Sequence, residues 1–225
     1  MTRTTPWLVA LAAGVVSAAA IRAQDLVGYF PLEVGRSWTY HLKLTSAGDT
    51  RTIEYTTRVA RHEEVDGVLC AALENQSGDR LLQVNWYAVV DGGKRVVQPR
   101  RQNGRVVTAL HADEPKGPPG RVLVDAAALA RLPEATTWRW ASADGHSQGT
   151  VRLAQRERLR LRNYGELDCL VLVDEGTATS GQRRATFTRR LWLAAGLGLV
   201  QETSTITADG AETKSEAVLI RHEAP

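Results

Sequence analysis

The chain has 225 residues, of which 43% are hydrophobic, 24% charged and 6% aromatic. This composition excludes a disordered tail protein, a collagen and a disulfide-dense miniprotein. Two cysteines are too few for a zinc site built on thiolates alone. The length suits one domain, or two small ones, with enough chain to bury a core.

The N-terminus has the pattern of a secretory signal. Arg3 precedes an apolar run, Trp7–Val16, which ends in small residues. The run is too short to span a bilayer as a helix, which favours a cleaved signal over a retained membrane anchor. We expect residues 1–23 to be removed, with cleavage after Ala20 or Ala23. No cysteine lies near either position, so we expect a free N-terminus without lipid.

Export changes how the charge is interpreted. Removal of residues 1–23 takes away Arg3 and Arg22 and no acid, which leaves 26 basic and 25 acidic residues. The sequence pI of about 9.1 is therefore weak support for nucleic-acid binding. We expect an exported protein, periplasmic or secreted, with no nucleic-acid partner and no transmembrane span.

From Asp25 onward the chain has the pattern of β-strands. Apolar residues mostly alternate with polar ones, and turn signals separate the runs. The turn signals are Asp66-Gly67, Asp91-Gly92-Gly93, Asn103-Gly104, Asn163-Tyr164-Gly165 and Asp209-Gly210. Many short strands with glycine turns predict an all-β domain with minor α content, either a strongly curved antiparallel sheet or a partly closed barrel.

One segment near the middle of the chain breaks the strand pattern. Asp125–Leu132 has an N-cap candidate and strong helix formers, and Pro133 ends it. A proline-rich loop, Asp113–Gly120, comes before it. We expect one short helix in a central connector over residues 113–133.

The two sides of the connector share three landmarks in the same order, at offsets of 98 to 106 residues. The matched residues are Trp38 with Trp138, Gly67 and Cys70 with Gly165 and Cys169, and Trp86 with Trp192. They predict a duplicated half, with half-repeats 29–112 and 134–222, in a single β domain over residues 24–225. Two independent small domains are the alternative.

The entry strand, Tyr29–Tyr40, contains Pro-Leu-x-x-Gly-x-x-Trp-x-Tyr. It resembles the first strand of a broad group of exported bacterial β-rich proteins of unknown function. Gly165–Val173 and Trp192–Glu202 resemble two later strands of that group, although Leu193 stands where an aromatic residue is usual. The group is more loosely similar to periplasmic lipoprotein carriers, whose curved sheets wrap an apolar cavity. The resemblance implies a hollow β fold and no catalytic residues.

The two cysteines occupy equivalent positions of the two halves. Export permits a disulfide between Cys70 and Cys169. A bond needs Cα atoms within about 7 Å, however, and equivalent positions on opposite walls of a barrel are further apart. The geometry favours two buried thiols that act as small hydrophobic residues.

The aromatic residues are candidates for the lining of a ligand cavity. The set comprises Trp38, Tyr40, Trp86, Trp138, Trp140 and Trp192. The same residues can fill the middle of a barrel instead, and their matched positions in the two halves favour core packing. An internal cavity of several hundred Å³ would distinguish the two.

A row of arginines is the candidate face for an anionic partner. Its members are Arg156, Arg158, Arg160 and Arg162. With a turn at Asn163–Gly165, Arg162 is expected opposite Glu166 and Arg160 opposite Asp168. Such cross-strand pairs favour a solvated, partly neutralised face over a binding plate.

Sequence motifs of catalysis are missing. The chain contains no nucleophile elbow, phosphate-binding loop, dinucleotide fingerprint or His-Glu-x-x-His motif. The five histidines are scattered, and His62-Glu63-Glu64 and His222-Glu223 are weak metal candidates because adjacent strand residues point to opposite faces. We expect no enzyme activity, no metal and no cofactor.

The leading hypothesis is an exported, non-catalytic β-domain that binds a lipid or another apolar small molecule in the hollow of its sheet. The alternative is a structural or adaptor protein of the cell envelope. It would contact an envelope protein or an anionic surface through a strand edge or the arginine row. A hydrolase is a distant third.

Overall fold

The structure is a computed structural model that describes residues 26–65, 67–102, 105–107, 109–110, 121–142, 146–180 and 183–225. The predicted signal peptide, the proline-rich loop 113–120, Asp66 and the Asn103-Gly104 turn lie outside the described residues.

The described chain contains fifteen strands and two short helices. In chain order they are α1 (Leu26–Tyr29), β1 (Ser37–Ser46), β2 (Asp49–Val65), β3 (Val68–Ser77), β4 (Arg80–Val90), β5 (Arg95–Gln98), β6 (Arg100–Gln102), β7 (Arg105–Val107), β8 (Ala109–Leu110), β9 (Arg121–Asp125), α2 (Ala126–Arg131), β10 (Thr136–Ser142), β11 (Ser147–Leu161), β12 (Gly165–Ser180), β13 (Arg183–Ala194), β14 (Gly198–Ala208) and β15 (Ala211–Glu223).

Thirteen of these strands form one sheet. Its order is β8-β10-β11-β12-β13-β14-β15-β1-β2-β3-β4-β5-β9, and all neighbours are antiparallel. The first long strand, β1, therefore pairs with the last, β15. At the other side β9 lies against β10 and β11, so the sheet curls into a nearly closed barrel. The predicted fold class is confirmed.

Local sequence signals account for the turns and the helix. Asp209 and Gly210 both have positive φ, at 51° and 78°, as a two-residue hairpin turn requires. Asp125 caps α2, and its carboxylate accepts a hydrogen bond from Ala128 N at 2.6 Å. The predicted short helix is confirmed at Ala126–Arg131.

Two three-stranded segments of the sheet, β2–β4 and β11–β13, carry the same set of contacts on one face. In β2–β4, Glu63 lies opposite Cys70. Trp86 lies opposite Ala72, two positions after that cysteine, and donates its indole N–H to Glu63. A one-residue bulge interrupts the register at Ala60.

In β11–β13 the corresponding residues are Glu157, Cys169 and Trp192, and the register is interrupted at Ala154. In each three-stranded segment the bulge lies three residues before the glutamate. A duplicated half would produce such matched contacts, and the duplication itself stays a prediction.

The N-terminal segment covers one end of the barrel. Leu26 and Tyr29 of α1 are buried, and Gly28 O accepts a hydrogen bond from Gly196 N in the β13–β14 turn at 2.7 Å. Gly198 has φ +78°, and a Cβ there would lie 3.2 Å from the Pro31 ring. This close approach brings the N-terminal segment against the barrel wall. The β1–β2, β3–β4 and β14–β15 turns lie at the opposite end.

Candidate functional site

The barrel encloses a cavity of about 470 Å³. Its wall is formed by inward side chains of most strands together with the N-terminal segment. Side chains that are apolar or aromatic supply most of it: Tyr29, Phe30, Pro31, Leu32, Trp38, Tyr40, Leu42, Tyr55, Leu73, Leu82, Tyr87, Leu123, Val151, Leu172, Leu191, Leu193, Leu199, Ile206 and Ala217. A volume of this size lies within the range of small-molecule binding sites.

The cavity reaches the end of the barrel opposite the N-terminal segment. Leu82 and Ile206 line it and yet are 46% and 44% exposed. Both lie a few residues from hairpin turns at that end, Leu82 on β4 and Ile206 on β14. These two side chains therefore mark the mouth of the cavity, and the mouth has an apolar rim.

Four charged side chains form a network in the cavity wall, which we call the charge quartet: Arg121, Asp174, Arg189 and Glu202. Arg121 Nη1 lies 2.5 Å from Asp174 Oδ2, and Arg189 Nη1 lies 3.8 Å from the same oxygen. Arg189 also binds Glu202 with two parallel hydrogen bonds, both of 3.0 Å. The quartet contains two positive and two negative charges, so it is neutral as a unit.

Burial and the partner charges act in opposite directions on the arginines. Burial lowers the pKa of Arg121, and the charge of Asp174 counteracts the effect. Burial also disfavours the charged form of Arg189, but Glu202 and Asp174 outweigh it and raise the pKa of that guanidinium. Both arginines stay charged at physiological pH because guanidinium groups titrate far above it. Their charge is compensated within the wall.

Three tyrosines add hydroxyl groups to the lining. Burial raises the pKa of Tyr40, Tyr55 and Tyr87, so all three remain protonated at physiological pH. Tyr40 stacks on Tyr55 with ring centroids 5.1 Å apart, and its hydroxyl donates to Leu199 O at 2.8 Å. Gln98 Nε2 donates to the Tyr87 hydroxyl at 3.1 Å. The phenols therefore act as neutral polar groups.

Of the six aromatic residues predicted to line a cavity, Trp38 and Tyr40 do so. Trp38 is anchored by a hydrogen bond from its Nε1 to Leu197 O at 2.5 Å. For Trp86, Trp138, Trp140 and Trp192 the prediction is corrected, since all four lie outside the lining.

The four tryptophans outside the lining occupy their positions for different physical reasons. Trp86 and Trp192 lie on the opposite sheet face, where their indole N–H groups donate to Glu63 and Glu157. Trp138 packs against apolar clusters around β5 and β9. Trp140 lies in the core and stacks on Phe187 at 6.1 Å.

The predicted arginine row is shorter than expected, and its register is corrected. The closing pair of the hairpin is Leu161 with Gly165, so the turn contains residues 162–164 and Arg162 leaves the strand. Arg160 lies opposite Glu166, and Arg158 lies opposite Asp168 with Nε 3.5 Å from its carboxylate. The turn begins one residue earlier than predicted. Arg160 therefore lies opposite Glu166 instead of Asp168, and Asp168 is paired with Arg158.

Arg156 has a different partner from its neighbours. Its Nη1 donates to the Tyr29 hydroxyl of α1 at 3.1 Å. Arg156, Arg158 and Arg160 are exposed because the alternate residues, Leu159 and Leu161, pack into a core cluster. The row is a solvated face with local partners at two of its arginines.

Cys70 and Cys169 are both fully buried, and no disulfide joins them. They belong to different apolar clusters, Cys70 beside Val65 and Val97, and Cys169 beside Leu161 and Val171. Burial raises the pKa of the Cys169 thiol to about 11. The structure therefore has the two separate buried thiols that the sequence favoured, and the alternative of a Cys70–Cys169 disulfide is corrected.

The histidines that were considered as ligands make structural contacts instead. His62 Nε2 lies 2.8 Å from Leu32 O, and His222 Nε2 lies 2.8 Å from Arg36 Nη1. Burial and the charge of Arg36 lower the pKa of His222. In the described part of the chain, no three His, Cys, Asp or Glu side chains come together as a metal site.

No helix in the described ranges has the length and apolarity to cross a membrane.

The charge quartet was missed in the sequence because its members come from four separate strands. Asp174 carried a usable signal, since it follows the apolar run Cys169–Val173 on a strand whose other residues there are buried. A carboxylate in such a position requires a partner. Nothing local identified Arg121 as that partner, because it lies 53 residues away.

Comparison with known proteins gives similarities of fold. No family model matches the chain, and no curated protein matches it. A crystal structure from Bacteroides fragilis, described as an exported protein with a YmcC-like fold, is similar at 15% identity and a TM-score of 0.48, and the match covers 85% of this chain and 97% of that chain. A lipoprotein from Parabacteroides distasonis is similar at 10% identity and a TM-score of 0.40, over 87% of this chain and 98% of that chain. The function of this chain is inferred from its own residues.

Proposed function

We propose that the protein is an exported, non-catalytic carrier or receptor that holds an elongated apolar molecule with a polar head inside its barrel. The observation that carries the proposal is the 470 Å³ cavity with its apolar wall and exposed apolar mouth. The pattern of residues 1–23 supports export.

The distribution of side chains favours an amphipathic ligand over a fully polar or a fully apolar one. Leucines and aromatic rings cover most of the wall, and a smaller set of polar side chains joins the charge quartet there: Thr57, Asn75, Gln83, Asn85, Gln98, Ser204 and Ser215. A minority of polar groups in a mainly apolar wall is typical of sites that orient a ligand. The apolar part holds the chain of the ligand by burial of its surface.

The ionisable groups of the cavity support binding rather than catalysis. The arginines and carboxylates of the quartet are engaged with one another. The tyrosines have raised pKa values and stay neutral. A general base or nucleophile needs a pKa adjusted toward the working pH, whereas the raised pKa values of the tyrosines move away from it.

Binding of the apolar dye N-phenyl-1-naphthylamine, followed by its fluorescence, tests the proposal. Leu73→Trp places a larger side chain in the cavity, where Leu73 forms part of the wall. Leu69→Trp is the matched control, because Leu69 lies on the same strand, is 67% exposed and is outside the lining.

We expect saturable dye binding by the wild type and by Leu69→Trp, and a dye affinity at least about tenfold lower for Leu73→Trp, because filling the cavity removes contacts to the ligand. Circular dichroism confirms that each variant is folded. Equal dye binding by the two variants would place the dye elsewhere and contradict the proposal.

A further inference from the structure

Among the described residues, one oxygen of the charge quartet has no hydrogen-bond partner. Asp174 is 2% exposed and lines the cavity, and its Oδ1 has no partner among the described residues, although Oδ2 is held by Arg121 and Arg189. A buried carboxylate oxygen without a donor is costly, and in folded proteins such atoms are explained by an ordered water or ion, by strain or by a functional role.

A second unpaired polar atom adjoins the same arginine. Trp140 is 6% exposed, and its Nε1 likewise lacks a partner in the described part of the chain. The guanidinium of Arg121 lies over the Trp140 ring, 5.5 Å from the centroid, and binds Asp174 through Nη1. Of these two atoms, only Asp174 Oδ1 belongs to a residue of the cavity wall, because Trp140 lies outside the lining.

The charge balance limits which group can satisfy these atoms. The quartet is already neutral, so an additional ammonium or carboxylate would enter a buried site without a counter-charge. A hydroxyl carries no net charge and can both donate and accept a hydrogen bond. It therefore suits the unused acceptor Asp174 Oδ1 without adding a charge to the quartet.

We propose that the polar head of the ligand is an uncharged hydroxyl group that donates a hydrogen bond to Asp174 Oδ1. This inference rests on the proposed function, since it names the head group of the molecule held in the cavity. The alkyl part of the ligand then extends along the leucines of the wall toward Leu82 and Ile206 at the mouth.

Displacement of N-phenyl-1-naphthylamine by three amphiphiles of equal chain length tests the head group. Decan-1-ol, decanoate and decylammonium are compared at neutral pH with the full-length mature protein. We expect decan-1-ol to displace the dye at a concentration at least about tenfold lower than either ion, because a charge-assisted hydrogen bond is gained without burying an unpaired charge.

Asp174→Asn separates recognition from the general preference of an apolar cavity for an uncharged molecule. The substitution keeps the size of the side chain and leaves the quartet with one net positive charge, so decanoate is expected to gain on decan-1-ol by about tenfold or more. Asp168→Asn is the matched control, because Asp168 lies on the same strand with a side chain 77% exposed. It makes the same charge change outside the cavity and is expected to keep the wild-type order.

If Asp174→Asn does not fold, the wild-type series decides the question. Equal or tighter displacement by decanoate or decylammonium in the wild type would overturn the hydroxyl assignment. So would an unchanged order in a folded Asp174→Asn. Absence of any dye binding would instead contradict the proposed function.

Discussion

The indole N–H of Trp192 donates a hydrogen bond to Glu157 Oε2 at 2.7 Å, across the strand that separates them. Arg190 also binds this carboxylate, and its guanidinium lies over the Trp192 ring at 5.1 Å. Trp86 and Glu63 form the equivalent pair in the segment β2–β4. These contacts hold the two tryptophans on the sheet face opposite the cavity, since their sequence neighbours line it.

Glu157→Ala should lower the free energy of unfolding by about 1–3 kcal/mol, because it leaves the Trp192 indole and the Arg190 guanidinium without their acceptor. Denaturant unfolding followed by circular dichroism measures the change. Glu166→Ala, on the exposed part of the same hairpin, is the control and should change stability by no more than about 0.5 kcal/mol. Equal losses for the two variants would contradict the assigned role.

The contribution of Glu157 should depend on pH. Hydrogen bonding from Trp192, followed by the effects of Gln155 and Arg190, lowers the pKa of this carboxyl although burial opposes it. A carboxyl with a lowered folded pKa stabilises the protein above its unfolded pKa, and the stabilisation is lost as the pH falls through the folded value.

The stability difference between wild type and Glu157→Gln should therefore be constant from pH 7 to about 5.5 and should shrink below about 4.5, the ordinary glutamate value. Unfolding curves at pH 7, 5.5 and 3.5 measure it. A difference that grows on acidification would have the wrong sign.

Much of the fold was predictable because local signals are strong. Alternating strands, the glycine turns and the capped helix at Asp125 each depend on a few neighbouring residues. The end of the β11 strand was misplaced by one residue, because Asn163–Gly165 and residues 162–164 are both plausible turns and tertiary packing of Leu161 selects the second.

The site was harder to predict because its chemistry is assembled from distant strands. The tryptophans are candidates for a lining in the sequence, although their matched positions favour core packing. On a strand, one shift of register exchanges the inner and outer faces. Trp192 and Trp86 fell on the outer face for this reason. The contact of Arg121 with Asp174 depends on the curvature that brings β9 toward β11, which no local pattern encodes.

Arg121→Met should be strongly destabilising, by about 3–5 kcal/mol, since it removes the closest partner of the buried Asp174 carboxylate. The double variant Arg121→Met, Asp174→Leu should recover most of that loss because no uncompensated charge remains. Arg158→Met breaks an exposed pair with Asp168 and should cost less than about 1 kcal/mol. Similar losses for Arg121→Met and Arg158→Met in urea unfolding would contradict the importance of the quartet.

Both thiols should be protected in the native protein. Cys70 and Cys169 are buried, and burial raises the pKa of Cys169 to about 11, so little thiolate forms at pH 8. Iodoacetamide at pH 8 should label neither cysteine under native conditions and should label both in denaturant without a reductant. Failure of the denatured, unreduced protein to react would indicate a disulfide and contradict the structure.

The most direct test of the central claim is the indole N–H region of a proton–nitrogen NMR spectrum during titration with decan-1-ol. Each signal is assigned with single Trp→Phe variants. The Trp38 signal should shift in a saturable way because Trp38 lines the cavity, whereas the signals of Trp86 and Trp192 should stay in place because their N–H groups are held by Glu63 and Glu157 on the outer face. An unchanged Trp38 signal, or a larger shift at Trp86 or Trp192, would contradict ligand binding inside the barrel.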